Sequence, residues 1–400
     1  MSWNEPSVAN IEASPADENG FALLTGMGRG AVGVVWIKGS RAPGLLTAHF
    51  RPAGNSPLAA RPLGSITYGV WMHAAGNMSA AEDVVVVKLA AEEFEVHIHG
   101  GRQSRESLSL ILSTAGFREL TGSEWLRSHQ ASELGACVAE ELLRCETERA
   151  ARWLLNQERA WRKWYELVAQ MSAESEFAGV IAACDAVLQR TKVARHLTEP
   201  WVVVLGGEPN VGKSSLINAL AGFTRAIVHS SPGTTRDVVT QRLVLDGWLV
   251  ELVDTAGQRV AGSAIEASGI ERALEVWRAA DCRIAVRDAT RPCDSQPVDW
   301  QPLPDLQVAN KSDLLEAEVR SNCLAVSALT GSGLDQLQRA IVQVLVPDTV
   351  SEGMPLPLGG VLPEILEGMS RAASVQDRER LERGLLRMRE YCGLSTGACG

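Results

Sequence analysis

Hydrophobic positions change their period along the chain, and the changes mark the expected elements. Between residues 21 and 101, short β-branched runs at 32–37, 66–71, 84–89 and 94–98 alternate with Gly, Pro and Asn clusters. Strands separated by turns read this way, so the stretch predicts a small α+β domain. Residues 106–114 predict a helix. From residue 132 to about 197 the period lengthens: Leu142, Leu143, Trp153, Leu154, Trp161, Trp164, Tyr165, Leu167, Val168, Val180, Ile181, Val187 and Leu188 recur at three- and four-residue steps. That predicts a few long helices with Arg and Glu facing solvent and the tryptophans in a core. Beyond residue 201, apolar runs at 202–206, 242–245, 248–253, 286–288, 306–309 and 323–326 alternate with helical stretches at 213–221, 265–280 and 331–344. Strand–helix alternation predicts a mostly parallel sheet. Asp246-Gly247 sits between two of the runs and predicts a tight hairpin. Residues 347–360 read as a Gly/Pro linker and 361–390 as one more helix, charged through its middle.

The first of these later runs carries the strongest chemistry. Residues 202–215 read VVVLGGEPNVGKSS, an apolar strand, a glycine-bounded loop and the start of an amphipathic helix. Gly207 and Gly212 are expected to let successive N–H groups turn inward where a Cβ would collide with a phosphate. Asn210, Val211, Gly212, Lys213, Ser214 and Ser215 line that loop, with Lys213 suited to β- and γ-phosphate oxygens and the Ser214 hydroxyl to Mg²⁺. The helix dipole points its positive end at the same anions. Four further segments follow in order. Thr234 and Thr235 lie in Gly-Thr-Thr-Arg-Asp, where a hydroxyl can sense a γ-phosphate and Mg²⁺. Asp254, Thr255, Ala256 and Gly257 end the run at 249–253. Asn310, Lys311 and Asp313 follow the run at 306–309, and Ser327 with Ala328 follows 323–326. An ionised Asp313 only accepts hydrogen bonds, so it suits the ring N–H and amino group of guanine and not the Watson–Crick edge of adenine. Each segment closes a predicted strand at its C-terminal end, where open α/β sheets bind ligands.

These stretches resemble the G domain of the MnmE (TrmE) family of tRNA-modification GTPases, on residues 207–215, AIVHSSPGTTRD at 226–237, 254–257, IEASGIERA at 265–273 and 310–313. The N-terminal third resembles the same family at the glycine-rich 28–34, at Glu82-Asp83 and at His97-Ile98-His99-Gly100-Gly101. The expected fold is an α/β P-loop G domain inserted in an α-helical domain, preceded by a small α+β N-terminal domain. Its divisions are a flexible leader at 1–20, the α+β domain at 21–120, helices at 121–199, the G domain at 200–347, and a linker with a C-terminal helix at 348–400. Because so little follows the G domain, the flanking helices are expected to pair across it.

The resemblance implies binding of GTP and GDP, hydrolysis of GTP, and action with a flavoprotein partner, as a homodimer, on wobble uridine of tRNA. Lys213, with Mg²⁺ held by Ser214 and Thr235, would neutralise charge. Two side chains could orient the attacking water: Glu266, matching the family's switch glutamate, and Gln258, where Ras-type proteins carry glutamine. Glu266 is favoured in that role, the alternative being an acid stabilised at a helix N-terminus. Asn210 matches a family ligand for an activating K⁺, while His229 replaces a threonine ligand. Folate chemistry is implied too, but Trp36 stands where the family has a folate-contacting arginine, and Val86 where it has a glutamate. The chain also carries Cys392 and Cys399 without the family's C-terminal Cys-x-Gly-Lys. A diverged regulatory or assembly GTPase, or a non-catalytic nucleotide-binding scaffold, are the alternatives.

Composition narrows this a little. With 38 basic and 48 acidic side chains, net −10, a uniformly basic nucleic-acid sleeve is excluded, though a local patch is not. No apolar run approaches the ~18 residues needed to span a bilayer, and 1–20 holds no signal-peptide core. The eight cysteines form no C-x2-C pair. A reducing, cytoplasmic setting without membrane attachment is the expectation. His97 and His99 share a strand face, which is either a half-exposed surface or part of a metal site.

Overall fold

In the computed structural model the described residues are 19–26, 30–54, 56–74, 77–223, 240–254, 265–291, 301–315 and 323–394. Residues 1–18 of the expected leader, and Cys399, lie outside them. The chain divides into two compact units, Met1–Ala131 and Ser132–Gly400.

The first unit holds strands β1 (Gly20–Leu23), β2 (Val32–Lys38), β3 (Phe50–Pro52), β4 (Ile66–Ala74), β5 (Asn77–Ala90), β6 (Glu93–His99) and β7 (Arg118–Leu120), and helices α1 (Ala42–His49), α2 (Arg102–Thr114) and α3 (Gly122–Ser128). The sheet order is β3-β4-β5-β6-β2-β1-β7, antiparallel except for the parallel β1–β7 pair. Alternation along each strand decides the faces: Val35, Ile37, Val84, Val86, Phe94, Val96 and Ile98 turn to a core shared with Leu46 of α1 and with Leu108 and Leu112 of α2. The opposite face carries Ala22 and Trp36, which pack with Leu120 and Trp125. α3 is started by a Thr121/Glu124 capping box and packs on β1 and β7. On β6, His97 Nε2 lies 3.1 Å from Glu95 Oε2. Among the described residues no group of three or more His, Cys, Asp or Glu side chains is placed to hold a metal.

The second unit opens with α4 (Glu133–Arg144), α5 (Glu148–Leu155), α6 (Gln157–Ala173), α7 (Phe177–Leu188) and α8 (Thr191–Arg195). The α/β part follows: β8 (Trp201–Gly206), α9 (Lys213–Phe223), β9 (Thr240–Leu245), β10 (Trp248–Asp254), α10 (Ile265–Ala279), β11 (Cys282–Asp288), β12 (Leu306–Asn310), β13 (Leu324–Ala325) and α11 (Leu334–Leu345). Its sheet runs β13-β12-β11-β8-β10-β9, with every pair parallel except the β9–β10 hairpin. Asp246 and Gly247 both take positive φ, 46° and 80°, the turn expected from that dipeptide.

Two corrections concern the C-terminal part of the chain. Residues 361–390 form two helices rather than one, α12 (Val361–Ser374) and α13 (Arg378–Tyr391). Gln376 reverses the chain at φ 56° and Asp377 caps the new helix through the Arg380 N–H at 3.0 Å, because a short acid competes for backbone donors better than it continues a helix. The break lets both apolar faces be buried. α12 packs on α7 and α13, and α13 packs on α6, so the helices on either side of the α/β part do pair. The stretch before α12 is anchored: Trp161 Nε1 donates to the Leu356 carbonyl at 3.1 Å, and Gln157 Oε1 accepts from the Leu356 N–H at 2.8 Å. Cys323, expected in a strand core, instead precedes β13 half-buried and accepts from Arg287 Nε at 3.4 Å.

Helical and α/β parts share one apolar core, running from Leu134 to Cys392. Trp153 of α5 meets Trp248 edge to face at 5.2 Å, His196 stacks on Trp201 at 3.8 Å, and Arg149 pairs with Asp246 at 3.2 Å.

Candidate nucleotide site

The C-terminal edge of the second sheet gathers most of the residues singled out in sequence. β8 delivers the loop at 207–212, and α9 begins at Lys213. Gly207 and Gly212 adopt φ of 145° and 93°. A Cβ at Gly207 would strike the Val286 carbonyl of β11, and one at Gly212 the Asn310 amide. The glycines let the loop lie tight against the neighbouring strands. Asn210 is left-handed as well, φ 64°. Lys213 is 4% exposed, and its Nζ donates to the carbonyls of Gly207 and Glu208 at 3.0 and 2.9 Å, so the ammonium spans the loop.

Ser214 Oγ donates to Asp254 Oδ2, which joins the first turn of α9 to the end of the adjacent strand β10. A hydroxyl and a carboxylate together are hard oxygen donors, the chemistry Mg²⁺ requires. Both side chains fit that ion. Ser215 opens outward beside them as an exposed residue.

Asn310, at the end of β12, ties two loops together. Its Nδ2 donates to the Val211 carbonyl at 2.9 Å and its Oδ1 accepts from the Ala328 N–H at 3.1 Å. Lys311 is left-handed, φ 66°, which aims its Nζ back at the Asn210 carbonyl, 3.0 Å, and at Asp288 Oδ2, 2.7 Å. Asp313 is exposed and accepts from the fully buried Ser327 Oγ at 2.5 Å. That hydrogen bond fixes the carboxylate through one oxygen and leaves the other as an acceptor.

Asp288 was not singled out in sequence beyond ending a strand. It lies at the end of β11, where burial pushes its pKa up, but Lys311 and the Thr290 hydroxyl and N–H hold it down to about 2. The signal was available: an acid closing a strand on the same edge as Lys213 and Asn310. Arg291 of the following turn pairs with Glu208 at 3.0 Å, bridging to the loop. Thr234, Thr235, Thr255, Ala256, Gly257, Gln258 and His229 lie outside the described residues. Glu266 is the second residue of α10.

At the two positions where the resemblance puts folate contacts, Trp36 and Val86, the described residues carry no charged side chain. Trp36 is 3% exposed, its Nε1 donates to Glu93 Oε1 at 2.7 Å, and the rings of Trp125 and His129 stand edge-on to it at 6.4 and 5.3 Å. The register places Trp36 opposite Glu95 and Val86 opposite Val96. The two positions therefore lie on opposite faces of the sheet. A folate held by an arginine at position 36 does not fit the side chains present.

A phosphate-type loop and an Asn-Lys-x-Asp turn, joined by one amide at one sheet edge, make the chain a P-loop GTPase, and residues 202–318 match the sequence profile of the 50S ribosome-binding GTPases. Within that class it belongs to the MnmE family of tRNA modification GTPases. It is 37% identical to the MnmE protein of Acidiphilium cryptum over 70% of this chain and 72% of that protein. It is 30% identical to that of a Thermus thermophilus strain over 94% and 90%. Among solved structures it aligns with the G domain of the T. maritima FeoB iron transporter at 26% identity, covering 37% of this chain and all of that one, with a TM-score of 0.30. Among the described residues no helix is long and apolar enough to cross a membrane.

Proposed function

We propose that this chain binds GTP and GDP at the edge of β8, β10, β11 and β12, hydrolyses GTP, and serves in modification of tRNA wobble uridine with a flavoprotein partner, in the cytoplasm and as a homodimer. The observation that carries the nucleotide reading is the convergence of Lys213, the Ser214–Asp254 pair and the Ser327-held Asp313 on one sheet edge. The name shared by its relatives supports the tRNA reading.

Phosphoryl transfer needs neutralised charge and a positioned water more than covalent help. Lys213 and the N-terminus of α9 supply positive charge to the phosphates. Ser214 and Thr235 would hold Mg²⁺, which would supply further positive charge to the phosphates. Asp313 accepts from guanine, and Ala328 backs the base. Glu266 orients the attacking water, with Gln258 as an additional contact. Asn210 would hold K⁺. A second reading, a diverged GTPase without one-carbon chemistry, is favoured by the closed surroundings of Trp36.

GTP turnover by wild type, Asp313→Asn, Glu266→Ala and Gln258→Ala tests the nucleotide reading. Asp313→Asn should weaken GTP by roughly 10- to 100-fold, since each bond to a charged acceptor is worth about 1.5–3 kcal/mol. No preference for GTP over ATP in the wild type would end it. Wild-type single-turnover rates in both Glu266→Ala and Gln258→Ala would remove the water assignment, and equal turnover in K⁺ and Na⁺ the Asn210 one. Submillimolar binding of formyl-tetrahydrofolate would reject the second reading.

A further inference from the structure

On an acidic chain one helix face gathers cations, most of them without acid partners. α5 ends on the bond from the Asn156 N–H to the Arg152 carbonyl at 3.3 Å, and α6 begins on the bond from the Ala160 N–H to the Asn156 carbonyl at 3.0 Å, so Asn156 caps both helices. Asn156, Arg159 and Lys163, at steps of three and four along α6, share one outward face. Arg152 is paired with Glu148 at 2.5 Å. Arg159, Arg162 and Lys163 are exposed and make no ion pair among the described residues. Glu158 and Glu166 also lie on α6, and neither pairs with them. Some exposed arginines elsewhere in this unit are matched one turn away, as in Arg339–Asp335, Arg371–Glu367, Arg378–Glu382 and Arg383–Glu379, while Arg278 and Arg387 are exposed without an ion pair among the described residues.

Arg159 and Lys163 also line a groove of about 390 Å³ whose other walls are Asn156, Ala160, Glu352 and Gly353. The acid in that wall is engaged, since Glu352 Oε1 accepts from Asn156 Nδ2 at 2.9 Å. Gly353 presents no side chain, and a Cβ there would meet nothing within 4 Å, so a backbone can approach closely.

We propose that this face of α6, with the groove beside it, binds the phosphate backbone of RNA; the proposal rests on the tRNA reading above. Two cations one turn apart suit neighbouring phosphates, and an arginine fork takes a phosphate through two parallel hydrogen bonds. Contacts of this kind position an RNA without reading its sequence.

The test is tRNA binding by the full chain at several salt concentrations, comparing wild type with Arg159→Glu/Lys163→Glu and with Arg339→Glu/Arg371→Glu as a charge-matched control. The groove variant should bind at least about tenfold more weakly and with a shallower salt slope, lower by about 0.7–0.9 for each phosphate no longer neutralised. The control should bind nearly as wild type, and GTP turnover without tRNA should be unchanged in both. Equal binding and equal slopes in the wild type and the groove variant would overturn the groove alone. Equal weakening in both variants would overturn it too, as a bulk charge effect. No tRNA binding by wild type would overturn the tRNA reading with it. Groove-dependent binding to phosphatidylserine vesicles, with tRNA binding unaffected, would reassign the face to a membrane surface.

Discussion

Asn310 works through both ends of one amide, holding the Val211 carbonyl and the Ala328 N–H. Truncating it leaves those groups without a partner, and each buried one costs roughly 1–3 kcal/mol. Asn310→Ala should therefore lower stability in urea by about 2 kcal/mol or more, while an unchanged midpoint would mean that water replaces the amide. Asp288 gives a pH dependence with a definite sign. Its folded pKa, about 2, lies below the ordinary carboxylate value of 3.8, so its contribution is fully present above roughly pH 4 and is lost as pH falls toward 2. The melting difference between wild type and Asp288→Asn should accordingly shrink across that window and stay flat above it. A difference constant down to pH 2 would show that Lys311 and Thr290 do not hold the carboxylate charged.

Among the elements, the reversal between α12 and α13 separates backbone conformation from capping. Gln376 holds a left-handed backbone at φ 56° that glycine adopts freely, so Gln376→Gly should raise stability by up to about 1 kcal/mol. Asp377→Ala, which removes the cap on the Arg380 N–H, should lower it by about 1 kcal/mol. Thermal melts of both variants decide this: a loss with Gln376→Gly would mean the turn is held by side-chain contacts. The β9–β10 hairpin was plain from Asp246-Gly247, because that turn type needs positive φ at both positions. The helix break was hidden, because residues 361–390 keep an apolar spacing that either one helix or two could satisfy.

At the scale of the molecule, the second unit closes only when the chain returns past the α/β part. α12 and α13 cover α6 and α7, and Leu362, Leu366, Met369, Leu381 and Met388 are buried in the same core as Trp161 and Val180. Residues 132–400 produced alone should melt in one transition and turn over GTP at the rate of the full chain. The same piece stopped at residue 347 should fail to fold, since it would leave that apolar surface in water. A soluble, cooperatively melting 132–347 would show instead that the α/β part with α4–α8 is self-sufficient.

Local chemistry was legible without coordinates: the glycine-bounded loop, Lys213-Ser214, Asp254 and Asn310 to Asp313 are short signals in a fixed order whose residue types name the chemistry each can do. So were β2, β4 and β6, where a period of two is written in adjacent residues, whereas the short β1, β3 and β7 were not singled out. Long-range geometry was not legible. That Gly207 clears the Val286 carbonyl, that Lys311 turns back to Asp288, and that Trp36 and Val86 face opposite ways all depend on strand register and on which loops meet at one edge. Register is set by pairing between residues distant in sequence, and only the folded chain brings those pairs together.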